Sequence, residues 1–342
     1  MNKKLKIDSE GYLLSGDIRL GDSEFGHSVL SNIRYLDEPR VFECNWNGET
    51  IQIEPFDYPL VALSVSLSDK TGTAHFPYDF QSPFSLDSIF VDEYDRFVSF
   101  TTDGVPFLFS RAAQAEFFNR VPEFDDEGYN WNGRSFKIES FHEISDPREN
   151  HTFWSEIYQK EETPPWDLDG PHPSLDLLLS KMKLNKSRVL VLGCGRGHDA
   201  ASFAKRGHFV TAVDYSPTAI AQAQELYSEI AGLEFVVGDA FAIPEKWKSA
   251  FDVVFEHTLF CAIHPQDRTR LSKSWNTCLE PGGYLMGFFW IFQRRKGPPF
   301  GSTEWEIKHH LEKKFRPLVW SRDITSPTNR LNSELMVVAE KK

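Results

Sequence analysis

RVLVLGCGRGHDAASFAKRGHFVTAVDYS, residues 188–216, decides the fold. Val189 to Leu192 is a short apolar run of the kind that a parallel strand covered on both faces requires. Gly193, Gly195 and Gly197 follow at once, with Cys194 between the first two. Lacking side chains, these glycines let backbone come close to a ligand. The helix that comes next offers its first amides to an anion. A second strand then ends in Asp214, where a carboxylate accepts hydrogen bonds from ribose hydroxyls. The turn departs from the dinucleotide pattern, because its third glycine stands one residue earlier than G-x-G-x-x-G demands. A ligand with a ribose, an adenine and a carboxylate but no phosphate suits it better, and S-adenosylmethionine is such a ligand.

Around this unit the second half of the chain alternates strands with helices, which predicts an α/β, Rossmann-like parallel sheet with helices on both faces. Ser216-Pro217 supplies an N-cap and a first helical residue for a helix over 218–227. Strands are expected at 235–237 and 251–255, and Pro281-Gly282-Gly283 turns the chain into another over 284–291. A helix around 305–315 and strands near 318–320 and 334–339 complete the sheet.

Composition shifts near residue 140. Before it, strands such as 58–67 and 96–100 dominate, and a helix is expected over 111–120. NWNGETIQIE at 45–54 recurs as NWNGRSFKIE at 130–139. Asn-Gly between extended segments is a strong short-range hairpin signal, so the two copies predict two similar hairpins, their tryptophans used for packing. The 342 residues suffice for two domains. We expect a smaller β-rich (α+β) domain over 1–140, a connection over 141–152, and the α/β domain over 153–342.

A net charge of −13 argues against a nucleic-acid or anionic-membrane partner, since such proteins cluster Lys and Arg to neutralise phosphates. Arg294, Arg295 and Lys296 form a basic triplet that reads as a solvated loop. The first residues lack an apolar targeting core, and the apolar run 284–292 is too short for a bilayer, which predicts a cytoplasmic protein. Cys44, Cys194, Cys261 and Cys278 lack C-x-x-C spacing and are expected reduced, with Cys194 a small residue that fits rather than a nucleophile. The histidines form no H-E-x-x-H or Cys/His ligand pattern, so no metal is expected.

Four stretches carry a family resemblance: FWSEIYQKEETPPWDLDG at 153–170, VLVLGCGRGHD at 189–199, FDVVFEHTLFCAIHP at 251–265 and KGPPF at 296–300. Over roughly residues 150 to 342 they resemble the class I S-adenosylmethionine-dependent methyltransferases, and within these the thiopurine and thiol/halide methyltransferase family. The resemblance implies an antiparallel finish to the sheet and an N-terminal lid in which the Trp154 and Trp166 faces attract the sulfonium, the alternative being packing of the lid alone. It implies that Asp199 faces the cofactor's ammonium group, although a carboxylate in a first helical turn is also explained by the helix dipole. It implies that Asp239, with Ala240, meets the adenine amino group, and that Tyr215 and Glu256 belong to the cofactor site. Where the family often has aspartate followed by tyrosine or arginine, this chain has Glu256-His257. His257 is either a base that takes a proton from a thiol or a satisfied structural histidine. Phe260 and Trp290 are expected to wall the acceptor pocket, or to pack as core.

The expected activity is in-line transfer of the methyl group of S-adenosylmethionine to a small soft nucleophile: a thiol, hydrosulfide, halide, thiopurine or selenium or tellurium species. The alternatives are an O- or N-methyltransferase of a small metabolite and a non-catalytic sensor of the cofactor. The N-terminal half resembles a small β-rich bacterial domain of unknown function. Three roles stay open for it: ligand binding, formation of a homodimer, or shielding of the active site.

Overall fold

A computed structural model describes residues 3–121, 123–125, 128–140, 151–160, 163–294, 296–322 and 324–342. Most of the expected connection, 141–150, and Arg295 of the basic triplet lie outside the described residues. The chain forms two compact units, one of residues Met1–Ser145 with Thr303–Glu306, the other of Asp146–Ser302 with Ile307–Lys342. Among the described residues, no helix is long and apolar enough to cross a membrane.

The first unit is built from small β-sheets around a phenylalanine-rich core. Both repeats are hairpins: Val41–Trp46 pairs with Glu49–Pro55, and Gly128–Trp131 with Arg134–Lys137. Each turn has two left-handed residues, Asn47-Gly48 with φ 50° and 79° and Asn132-Gly133 with φ 50° and 77°, the pair that a type I′ turn demands. Trp46 packs edge-on against Phe25 at 5.0 Å, and Trp131 Nε1 donates to the Ser68 carbonyl at 2.8 Å. The helix expected over 111–120 is Arg111–Arg120, capped by Ser110 Oγ. The expected strand 58–67 divides in two, because Leu60–Ala62 joins Pro106–Phe109 in one sheet while Ser64–Leu67 pairs with Thr71–His75 in another.

The second unit contains a seven-stranded sheet. Its strands are β1 Arg188–Leu192, β2 Phe209–Asp214, β3 Leu233–Val237, β4 Phe251–His257, β5 Leu279–Trp290, β6 Phe315–Ser321 and β7 Glu334–Lys341. The order is β3-β2-β1-β4-β5-β7-β6. The pairs from β3 to β5 are parallel, and β7 runs antiparallel between β5 and β6, the antiparallel finish expected. Helices α1 His151–Lys160 and α2 Leu175–Met182 precede the sheet; α3 His198–Lys205, α4 Pro217–Tyr227, α5 Leu259–Ala262 and α6 Arg268–Cys278 connect its strands.

Alternation along β1 feeds two cores. Val189 and Val191 face Phe203 and Phe255, whereas Leu190 and Leu192 face the layer of Trp275 and Phe289. β5 begins earlier than expected: Leu279 already pairs with Phe251, and Pro281-Gly282-Gly283 bulges out before Tyr284 resumes pairing with Val253. The chain leaves β1 in one direction to β2 and later returns on its other side as β4, so a crevice opens beyond their carboxyl ends, where open α/β sheets bind ligands.

Candidate cofactor and acceptor site

Register brings the site together. Leu192 pairs with Val213 and Val191 with Phe255, so Gly193, just past β1, stands level with Asp214 and His257, the last residues of β2 and β4. Gly193 and Gly195 are left-handed, with φ 67° and 52°, and a methyl group on either would crowd a neighbour. At Gly193 it would lie 2.8 Å from Leu259 of α5, and at Gly195 2.9 Å from the Tyr158 hydroxyl of α1.

Asp214 is buried and anchors the turn from the far side. Its Oδ2 accepts from Gly195 N at 2.8 Å and its Oδ1 from Ser216 N at 2.9 Å. Burial raises this carboxyl, and the amides of Ser216 and Gly195 offset the rise only in part. Burial pushes the Cys194 thiol well up, so it is no thiolate nucleophile at neutral pH. Tyr215 is exposed, and Asp239 turns the chain after β3 by accepting from Phe241 N at 2.8 Å, with Ala240 half-buried beside it.

An aromatic strap lies over the glycine turn. Trp154 and Trp166 meet edge-on at 5.7 Å, and Trp166 Nε1 donates to the Tyr158 hydroxyl at 3.1 Å. Asp167 holds the strap to the turn, its Oδ1 3.0 Å from His198 Nε2 and its Oδ2 3.4 Å from Arg196 Nη1.

Asp199, at the start of α3, enters a buried polar ring. Its Oδ1 accepts from His172 N at 2.8 Å and its Oδ2 lies 2.7 Å from His257 Nδ1. Arg330 Nη1 reaches His257 Nε2 at 3.0 Å and Glu334 Oε1 at 3.1 Å. Glu334 Oε2 lies 2.8 Å from His172 Nε2, closing the ring. The tautomers follow from the fixed donors. A guanidinium only donates, so His257 Nε2 accepts and its Nδ1 carries the proton toward Asp199. Ser174 N donates to His172 Nδ1 at 3.1 Å, so His172 Nε2 carries the proton toward Glu334. Burial by itself would raise Asp199 and Glu334, but their histidine partners, with Arg330 beside Glu334, hold both below the usual carboxylate range.

This geometry bears on the alternatives left open for His257 and Phe260 and on the surroundings of Glu256. His257 as a base has no free ring nitrogen: one donates to Asp199 and the other accepts from Arg330. Glu256, adjacent on the strand and therefore facing the opposite layer, is 1% exposed and its Oε1 accepts from Phe260 N at 3.0 Å. Its carboxyl caps α5 and has almost no surface to offer a cofactor. Phe260 is 2% exposed and packs against Phe289 at 5.5 Å under the Arg268 guanidinium, so it is core and not pocket wall. Trp290 keeps a place beside the ring, its face 5.4 Å from the Arg330 guanidinium carbon and its Nε1 donating to Ser333 Oγ at 3.0 Å.

Sequence reasoning missed His172, Arg330 and Glu334. Their only trace was polar residues in a proline-flanked loop, PHPS, and in TNRLNSE ahead of the last strand. His172, His257 and Glu334 bring possible ligand atoms within 4.8 Å of one another, the geometry of a metal site. Arg330 Nη1 already bonds both His257 and Glu334, so a guanidinium holds the position that a cation would take.

Residues 149–341 match the protein family described as thiopurine S-methyltransferase. Over 153 residues the chain is 35% identical to thiocyanate methyltransferase 1 of Arabidopsis thaliana, covering 43% of this chain and 65% of that protein. It is 33% identical to probable thiol methyltransferase 2 of the same plant, covering 43% of this chain and 66% of that protein. The chain thus spans just under two thirds of the length of these relatives. Among solved structures, N-methyltransferase NodS from Bradyrhizobium japonicum WM9, in complex with S-adenosyl-l-homocysteine, aligns with 56% of this chain and 99% of its own at 18% identity and a TM-score of 0.48.

Proposed function

The chain belongs to the thiopurine S-methyltransferase family, and on that premise we propose that it transfers the methyl group of S-adenosylmethionine to a small soft nucleophile: a thiol, hydrosulfide, halide, thiopurine or selenium or tellurium species. The observation that carries this reading is the alignment of Gly193, Asp214 and His257 at one level of the switch edge, beneath the Trp154–Trp166 strap.

The residues present fit that cofactor. A carboxylate has about four acceptor positions; Asp214 gives at least two to backbone amides and keeps capacity for a ribose. Asp199 is held ionised, as an ammonium partner must be, and the strap offers indole faces of the kind that attract a sulfonium. Tyr215, Asp239 and Ala240 complete the adenosine side of the proposed site. When bound, S-adenosylmethionine supplies an activated methyl group on a positively charged sulfur. The chain's own task is then to align the acceptor with that methyl and to keep water out.

The engaged state of His257 favours an acceptor that arrives already as an anion or a polarisable thiol, because the imidazole is not free to deprotonate an alcohol or an amine. The names of the two plant relatives, for thiocyanate and for thiols, point the same way. The test is S-adenosylhomocysteine production by the purified protein across thiols, hydrosulfide, iodide, thiocyanate, selenium species, a thiopurine, and phenol and amine controls. Turnover confined to the soft nucleophiles is expected; turnover on the phenol or amine alone overturns the acceptor class.

A further inference from the structure

The polar ring places one side chain, Arg330, between the two walls assigned to the methionine end of the cofactor. Its Nη2 donates to the Trp166 carbonyl of the strap at 3.0 Å. Its Nη1 donates to His257, and through that imidazole it reaches Asp199, at the start of α3. The guanidinium is 1% exposed, and Glu334, 0% exposed, supplies its counter-charge.

We propose that Arg330 is a positioning residue for cofactor binding: by fixing His257 in its Nδ1–H form it holds Asp199 as an oriented, ionised partner for the cofactor's ammonium group, and by holding the Trp166 carbonyl it sets the strap above it. The inference rests on the cofactor reading above and adds to it a residue that touches neither cofactor nor acceptor.

The physical argument concerns which proton goes where. The groups facing His257 are Asp199 from α3, Arg330 and Glu334 from the loop and first residue of β7, and His172 from the segment after the strap. With the guanidinium on Nε2, the imidazole can take no second proton without losing that bond. Remove the guanidinium, and Nε2 becomes a free lone pair on the side of Glu334, while Nδ1 still faces Asp199. That lone pair can take a second proton, which the guanidinium excludes in the wild-type protein. The resulting cation pairs with Asp199 and competes with the cofactor's ammonium for the same carboxylate.

The test is calorimetric binding of S-adenosylhomocysteine between pH 6 and 9, which needs no acceptor and no turnover. Arg330→Gln is expected to weaken binding by roughly tenfold or more, the range of a lost charge-assisted hydrogen bond, with the deficit growing as pH falls. Because Arg330→Gln leaves Glu334 as an uncompensated buried charge, the paired change R330Q/E334Q is measured beside it; it removes cation and carboxylate together. Adding H257Q to that pair should abolish the new pH dependence, which a merely structural role for Arg330 would not predict. Wild-type protein that binds while R330Q/E334Q binds equally well, with a flat pH profile, overturns the positioning role. Wild-type protein that fails to bind overturns the cofactor reading itself, and the inference with it.

Discussion

Gly195→Ala tests whether the strap rests on the glycine turn. Two separable costs follow from the structure. At φ 52° an alanine side chain suffers the left-handed penalty, about 1–2 kcal/mol. Its Cβ would also stand 2.9 Å from the Tyr158 hydroxyl, closer than such contacts occur, so that hydroxyl must move. Moving it breaks the 3.1 Å bond from Trp166 Nε1, worth about 0.5–1.5 kcal/mol. The sum is about 1.5–3.5 kcal/mol in chemical denaturation. The next Tyr158 atom is Cζ at 3.9 Å, an ordinary contact, so Tyr158→Phe removes the clash and leaves the backbone penalty untouched. In the Y158F background, G195A should therefore cost only about 1–2 kcal/mol, and the four proteins should show a coupling near 1 kcal/mol. Equal cost of G195A in both backgrounds would refute the contact between turn and strap, and no cost in either would refute the left-handed turn as well.

The succession of strands and helices along the second half, and the glycine turn that follows the first of those strands, were legible because each rests on local chemistry. The apolar run before the glycines marks a covered strand, three left-handed glycines mark the turn, and Ser216-Pro217 marks the next helix, whose cap the structure shows as Ser216 Oγ accepting from Ala219 N. The Asn-Gly repeats were legible for the same reason, since type I′ geometry is demanded by the dipeptide itself. The polar ring was not legible. Its members come from five places in the chain: the loop at His172, the start of α3, the end of β4, the loop at Arg330 and the start of β7. Polar residues between elements read as solvated until tertiary structure buries them against one another.

Of the two aromatics expected to wall the acceptor pocket or to pack as core, Phe260 packs as core, for a related reason. Phe260 follows the switch edge by three residues, close enough in sequence to suggest a pocket wall. The short helix α5, entered through left-handed Thr258 at φ 66°, turns it back into the Trp275 layer. Neighbouring strand positions face opposite layers, which is also why His257 joins the ring while Glu256 is buried away from it.

Phe260→Ala should cost about 3–5 kcal/mol of stability, as large core truncations do, while the folded fraction keeps its KM for a small acceptor; a raised KM with stability intact would return Phe260 to the pocket. Glu256 offers a test by pH. Burial pushes its carboxyl up to about 8, offset only in part by the Phe260 amide and the Arg268 charge. An unfolded glutamate titrates near ~4.3. The folded state therefore holds a proton that the unfolded state has already released across that window. The stability this contributes is fully present below the unfolded value and is lost as pH rises toward about 8, at about 1.4 kcal/mol per pH unit at most. Glu256→Gln keeps an acceptor for Phe260 N and cannot ionise, so it should lack this slope. In guanidinium titrations, wild-type stability measured relative to E256Q should fall as the buffer moves from pH 5 to 8, then level off. The change should reach several kcal/mol on the order set by the linkage relation. A difference that stays constant over that range would mean that Glu256 is ionised in the folded protein at neutral pH, with Arg268 as its full counter-charge.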